Sequence, residues 1–312
     1  MRVNLSYPHS LEIPAMMQPW EFQLQPPEMI RIMRLGDELG FHKLVIGEHL
    51  VIPEDHIELS GAHWLHGTCA LAFAAGQTSR MGLASSISIL PLQNPIVQAK
   101  AWSTLDWLSQ GRATAVFGAG WLEGEFALLN VPFQERGAMC DEYLAAMIAL
   151  WTQDSPAFEG KYVAFDKVGF DPKPVQKPHL PIWLGGDARP VLRRVARFAD
   201  GWSPFLTHPD KFLEALDTIC SSPEYDGRPL GLYFSISAMR IGEGHVRRDE
   251  PLAGGTYDIQ ETVDMCGWLA ERGVTETLIP MPPLSGFEAY LDRLQWVGEE
   301  IIPRVAGIAA AR

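Results

Sequence analysis

The sequence predicts an α/β protein: one eight-stranded parallel (β/α)8 TIM barrel with a small hairpin insertion, running from residue 1 to 312 as a single domain. Three observations carry that prediction. Short apolar segments alternate with helix-length segments along the whole chain, and there are eight of each. The apolar segments are bounded by glycine or proline and lack a polar face, as strands buried on both sides do. The length of 312 residues suits two ordinary domains or one large barrel. Alternation implies right-handed βαβ units and a parallel sheet, and eight repeats favour closure over an open doubly wound sheet.

The predicted strands are Val3–Tyr7, Lys43–Ile46, Met81–Leu90, Ala113–Gly118, Pro181–Leu184, Gly201–Pro204, Leu232–Ile241 and Glu276–Pro280. The helix Pro27–Leu39 sets Met29, Ile32, Met33 and Leu39 on one side and stops at Gly40. The helices Trp64–Ala75, Ile96–Leu108, Gln134–Trp151, Pro190–Ala199, Pro209–Cys220, Ile259–Arg272 and Phe287–Ile302 follow. Two connections exceed ordinary loop length, 50–63 and 152–180. In the second, Tyr162 and Ala164 alternate with Val163 and Phe165, which predicts the hairpin. The small apolar tail 306–312 is expected to fray.

Composition narrows the function. The formal net charge is −13, so a phosphate backbone or an anionic lipid surface would be repelled, and neither nucleic acid nor membrane is an expected partner. Cys69, Cys140, Cys220 and Cys266 are far apart and all fall in predicted helices. They suit reduced, packed thiols of a cytoplasmic protein better than a disulfide framework or a zinc site. The first ten residues lack a signal-peptide core, and no apolar run approaches the roughly 18 residues of a membrane span.

In a parallel barrel, chemistry sits where strands end. After the second strand come Glu48 and His49. A neutral imidazole can give or take a proton near pH 7. Adjacent residues of a regular strand point to opposite sides, so Glu48 and His49 would not both face the mouth. The third strand carries Ser85, Ser86 and Ser88, which either let a flat ligand approach or fill a bulge. The fourth ends in Gly118 and Gly120, a lone Gly-x-Gly that falls short of the dinucleotide fingerprint. The fifth ends in Gly185-Gly186 just before a helix, where backbone N–H groups could hold a phosphate with Arg189 and Arg193 nearby. Asp187 opposes an anion there unless it caps the helix. His56, His63 and His66 lie near Glu54, Asp55 and Glu58, with His63 and His66 predicted on one helix face. No ligand spacing there matches a known metal set, so no metal is expected. A nucleophile elbow and a P-loop are both missing from the sequence.

Together, "GFHKLVIGEHL" (40–50), "SISILPLQNPIVQAKAWSTLDWLSQGR" (86–112), "FGAGWLEGEF" (117–126), "PFQERGAMCDEYLAAMIALW" (132–151), "PKPVQKPHLPIWLGG" (172–186) and "RFADGW" (197–202) resemble the bacterial luciferase-like monooxygenase superfamily. The resemblance is close over about residues 1–205 and loose after that. Within the superfamily it is most like the branch using coenzyme F420, with the FMN-dependent branch as the alternative. It implies a flavin-type ring in the barrel mouth, backed by a non-prolyl cis peptide at Ser86–Ile87. It implies His49 beside ring and substrate, with Glu48 as its support or a contact to the ring edge. It also implies cofactor contacts at Gly118 and Gly120, phosphate on the backbone of Gly185, Gly186 and Ala188, and a homodimer. Sugar-phosphate dehydrogenases of the family place an acid straight after the Gly-x-Gly, where this chain has Trp121. Trp121 and Trp64 suggest a more apolar substrate, aromatic or terpenoid-like, with simple core packing of either tryptophan as the alternative.

The expected activity is hydride transfer between coenzyme F420 and a small organic substrate. An FMN-dependent monooxygenase, served by a separate reductase that supplies reduced flavin, is the alternative. A barrel that binds cofactor without turnover and a metal-dependent hydrolase at His56, His63 and His66 are the rivals from other classes.

Overall fold

Residues 1–248 and 257–311 are described by a computed structural model. The strands are β1 Arg2–Ser6, β2 Lys43–Ile46, β3 Gly82–Ser85, β4 Ser88–Ile89, β5 Ala113–Gly118, β6 Phe158–Glu159, β7 Ala164–Phe165, β8 Ile182–Gly185, β9 Gly201–Ser203, β10 Gly231–Leu232 and β11 Glu276–Leu278. The helices are α1 Pro26–Leu39, α2 Ile57–Ser60, α3 Gly67–Ala75, α4 Pro95–Leu108, α5 Glu123–Leu128, α6 Arg136–Thr152, α7 Arg189–Phe198, α8 Phe212–Cys220, α9 Ile259–Ala270, α10 Phe287–Trp296 and α11 Ile302–Val305.

The main sheet runs β10-β9-β8-β5-β3-β2-β1-β11, parallel throughout, with β4 also paired to β5. Since β3 and β4 are halves of one strand, this is an eight-stranded TIM barrel. Its ends meet at a parallel bridge between Tyr233 and Glu276, where the Phe234 N–H reaches the Glu276 carbonyl at 3.1 Å. β6 and β7 form the antiparallel hairpin, pairing Phe158 with Phe165. The Glu142 carboxylate of α6 accepts the N–H groups of Lys161, Tyr162 and Val163 and so fixes the turn.

The barrel interior holds Val45, Ala84, Val116 and Trp183, with Ile87, Tyr233 and Leu278 against them. A Cβ on Gly201 or Gly231 would lie 2.2 or 2.4 Å from the Trp183 indole, so both glycines exist to admit that ring. At the opposite end from the strand C-termini, Glu276 is buried among Arg2, His42, Lys43 and Asn4. Burial works against its charge, but His42, Lys43 and Arg2 outweigh it and hold the carboxyl down at about 2.

The structure departs from the sequence prediction at several places. The predicted strand Met81–Leu90 is divided at the cis peptide Ser86–Ile87; the Ser86 N–H still donates to the Ile46 carbonyl at 2.7 Å, and pairing resumes at Ser88. The predicted strand Leu232–Ile241 is regular strand at Gly231–Leu232, bridges through Tyr233 to Glu276, and becomes a 3-10 turn at Ile236–Arg240. Its neighbour β9 ends at Ser203, and on the β11 side the backbone pairing runs through Tyr233 and Phe234 before the chain turns. The helix predicted from Trp64 begins at Gly67, because Trp64 bridges to Leu11 and the His63 carbonyl accepts the Glu12 N–H. The predicted helix Phe287–Ile302 is α10, a π turn at Val297–Ile301 and α11. The short helix α5 was not foreseen. Cys140 and Cys266 are packed, but Cys69 and Cys220 are exposed; all four are free thiols. No helix among the described residues is long and apolar enough to cross a membrane.

Candidate active site

β2 ends at Ile46, and Gly47 carries the chain past its neighbours. A Cβ on Gly47 would sit 3.0 Å from Leu11 and 3.3 Å from the Ser86 carbonyl. Glu48 and His49 follow, both buried, at 4% and 6% exposure. They part company at once, each to a different partner.

Glu48 turns toward α3. Its Oε2 accepts the Gly67 N–H at 2.7 Å, at the helix N-terminus, where the backbone dipole favours a carboxylate. Burial, with the Glu125 charge adding to it, pushes the Glu48 carboxyl up from its usual range. Its nearest imidazole is His66, at 3.9 Å. Glu48 is thus bonded to α3 and does not support His49.

That support is Glu125, 1% exposed, on α5. Its Oε2 lies 2.7 Å from His49 Nδ1, and its Oε1 accepts the Leu50 N–H at 2.7 Å and the Val51 N–H at 3.3 Å. A carboxylate only accepts, so Nδ1 carries the proton and Nε2 is the nitrogen open to a reacting group. Sequence reasoning missed Glu125. Its one signal is the Glu-Gly-Glu-Phe run, which does not distinguish it from the exposed Glu123.

Rings enclose His49. Trp64 meets it edge-on at 4.6 Å between centroids, Trp121 at 6.0 Å and His245 at 5.9 Å. Trp64 is held by its indole N–H on the Ser60 carbonyl. The structure therefore brings His49, Trp64 and Trp121 together. His245, beyond the closely resembling part of the chain, was not anticipated.

The Ile87 side chain, just past the cis bond, fills the space over two glycines. A Cβ on Gly118 would lie 2.1 Å from Ile87 Cδ1, and one on Gly185 3.0 Å from Ile87 Cγ2. Gly120, with φ of +80°, would drive a Cβ to 2.7 Å from Ile89 and Phe126. The packing alone thus accounts for these three glycines. Ser85 Oγ bonds both the Val116 carbonyl and the Val116 N–H at 2.8 Å, replacing a ladder rung. Ser88 is buried toward Gly67 and away from Ile87, and its hydroxyl has no partner.

Gly186, with φ of +122°, leads to Ala188, the N-cap of α7. Asp187 is not the cap. Its carboxylate accepts the N–H groups of Phe205, Leu206 and Thr207 and the Thr207 hydroxyl. Its charge is spent on that loop. The Gly186 N–H, expected to hold a phosphate, donates instead to the Ser203 carbonyl, Pro190 has no N–H, and the Val191 and Leu192 N–H groups turn back to the Ala188 carbonyl, which leaves the N–H groups of Asp187, Ala188 and Arg189 beside the exposed Arg189 and Arg193 side chains. The N–H groups of Asp187, Ala188 and Arg189 with the two arginines suit a phosphate, and the apolar Ile87 side chain over Gly118 and Gly185 suits a flat ring.

The three histidines weighed for a metal do not meet. His56 tilts against Trp121, His66 approaches Glu48, and His63 stacks on His9 with centroids 4.4 Å apart and planes 12° apart. His9, Glu12 and His63 do gather within 4.8 Å. Nearly parallel rings aim their lone pairs along separate planes, which is poor geometry for one shared ion.

The family model for luciferase-like monooxygenases matches residues 9–241. An uncharacterized protein of Mycobacterium tuberculosis is 32% identical over 281 residues, covering 84% of this chain and 90% of its own. An FMNH(2)-dependent dimethylsulfone monooxygenase of Pseudomonas putida is 33% identical over 110 residues, covering 34% of this chain and 30% of its own. Among solved structures, the coenzyme F420-dependent tetrahydromethanopterin reductase of Methanopyrus kandleri superposes with a TM-score of 0.71 at 18% identity, covering 98% of this chain and 100% of its own. That likeness is one of fold.

Proposed function

The chain belongs to the luciferase-like monooxygenase family, and from that premise we propose that it moves a hydride between coenzyme F420 and a small organic substrate at the barrel mouth. The observation that carries this reading is the buried His49–Glu125 pair, 2.7 Å apart, opening onto an aromatic wall. When bound, the deazaflavin supplies or accepts the hydride. Ile87 would back its ring, and the N–H groups of Asp187, Ala188 and Arg189 would hold its phosphate with the Arg189 and Arg193 side chains. His49 Nε2 takes the proton of a substrate hydroxyl as the alcohol is oxidised and returns it when a carbonyl is reduced. Glu125 stabilises the imidazolium in between. Trp64 and Trp121 exclude water and bind the apolar body of the substrate.

FMN is the second reading, favoured by the stretch shared with the dimethylsulfone monooxygenase. A separate reductase would then supply reduced flavin. The proposal includes a cytoplasmic homodimer. Four free thiols support the compartment. The outer face of α3 and α4, with Phe73, Val97, Trp107 and Leu108 exposed, supports the dimer. Paired titrations with oxidised F420 and FMN test the reading. Tighter F420 binding is expected, with His49→Ala binding the coenzyme but losing acceptor reduction. Tighter FMN binding would move the assignment to the second reading, and binding of neither would overturn both.

A further inference from the structure

His245 stands on the tip of a hairpin that reaches over the barrel mouth. Ile241 pairs with Arg247, and the Gly242 N–H reaches the Val246 carbonyl at 2.7 Å. Gly244 and His245 both take positive φ, +70° and +61°, so the tip doubles back and drives the imidazole inward. A left-handed conformation at a non-glycine residue costs roughly 1 kcal/mol or more. Here the ring is held by contacts on several sides. It lies 5.2 Å from Trp121, 6.0 Å from Trp64 and 5.9 Å from His49 between centroids. Its Nδ1 is 2.9 Å from Ser60 Oγ.

We propose that His245, backed by Ser60, is a substrate-binding residue that restricts the site to uncharged substrates bearing a carbonyl or hydroxyl oxygen. The inference rests on the function proposed above and names its substrate class. The argument turns on how the two imidazoles are backed. Glu125 can only accept, so it fixes the tautomer of His49. Ser60 carries a hydroxyl that either donates or accepts, so it fixes nothing. His245 Nε2 can therefore donate to a carbonyl or accept from a hydroxyl, which are the two oxidation states of one substrate oxygen. Burial, then the neighbouring His49 and His56, brings the His245 pKa down to about 4, so the ring is neutral at pH 7 and keeps this freedom. The groups that line the mouth around it are Ser60, Trp64, Trp121, His49 and His56, with Glu125 behind His49. Among the described residues in contact with the ring, none is an arginine or lysine. An anionic substrate would be buried against Glu125 with no cation among these groups to offset it.

The test uses the full chain with imidazole nitrogens labelled for NMR, and three probes of one shape: acetophenone, 1-phenylethanol and benzoate. Acetophenone and 1-phenylethanol should shift the His245 ring signals saturably, and benzoate should bind at least about tenfold more weakly. His245→Ala should weaken both neutral probes about tenfold, the worth of one buried hydrogen bond, and His245→Gln should restore them to within about threefold. If His245→Ala does not fold, Ser60→Ala carries the test and must weaken both neutral probes. Equal binding of benzoate, or neutral-probe affinities unchanged in these variants, overturns the proposal. Coenzyme titrations run beside it. Coenzyme that binds while the probes ignore His245 overturns the proposal and leaves the function standing. Probes that bind where neither coenzyme does overturn the function and leave this ligand site standing. Failure of both overturns both.

Discussion

Glu125 Oε2 sits 2.7 Å from His49 Nδ1, while Oε1 of the same carboxylate takes the Leu50 N–H. One side chain thus orients the ring and anchors the backbone that carries it. Glu125→Gln keeps the shape but removes the charge. Turnover should fall about 100-fold with coenzyme affinity within about twofold, since a positioned base contributes roughly 10² to 10⁴. Single-turnover reduction measured against coenzyme titration checks this; wild-type turnover would show that the pair is structural.

Gly118→Ala should destabilise the protein by about 1–3 kcal/mol, because the new Cβ falls 2.1 Å from Ile87 Cδ1. Ile87→Val removes that Cδ1 and should recover much of the loss in the double variant. Urea midpoints of the two single variants and the double decide it. A strictly additive double variant would mean that Ile87 is not the obstacle.

Acid should loosen the barrel at Glu276. Its folded pKa of about 2 lies below its unfolded value. The stability it contributes is therefore complete above about pH 4.5 and is lost as pH falls from there toward 2, by about 3 kcal/mol in all. Glu276→Gln should flatten the pH dependence of unfolding across that window. An unchanged slope would contradict the assignment.

His245 has the opposite chemistry and the same acid limb. Its folded pKa, about 4, is lower than its unfolded value near 6.5. The penalty is nil above about pH 6.5 and grows as pH falls toward 4, because the unfolded ring takes the proton first. Releasing the hairpin relieves that penalty without unfolding the barrel. Amide protection at residues 241–247, taken relative to the intrinsic exchange rate at each pH, should therefore fall between pH 6.5 and 5 while the strands stay protected. Uniform exchange in both places would refute it.

The dimer face makes a separate prediction. Phe73→Asp in α3 or Trp107→Asp in α4 places a charge on an exposed apolar surface of a chain already at −13. Either should give a monomer with an intact barrel, seen by sedimentation and circular dichroism. A wild-type monomer at micromolar concentration would remove the dimer from the proposal.

Much of the barrel was legible because its signals are local. β2 and β5 match the sequence prediction residue for residue, since both are continuous apolar runs closed by glycine. The predictions failed where a partner decides. Trp64 reads as helix but pairs with Leu11, and the segment after Leu232 reads as a long strand but bonds its neighbours through Tyr233 and Phe234 and then turns. The cis peptide at Ser86–Ile87 followed from family resemblance, because no local property of Ser-Ile demands it.

The candidate site divides in the same way. The sequence by itself determined the order of strands and helices, and with it that His49, Gly118 and Gly185 fall at strand ends, because hydrophobic periodicity and glycine act over a few residues. Only the tertiary structure decided that Glu125 rather than Glu48 holds His49, and that His245 joins it from nearly 200 residues away. Past the end of β2, Glu48 is held by the Gly67 N–H at the α3 N-terminus, away from the imidazole beside it, while barrel closure brings α5 and the 241–247 hairpin to the same mouth.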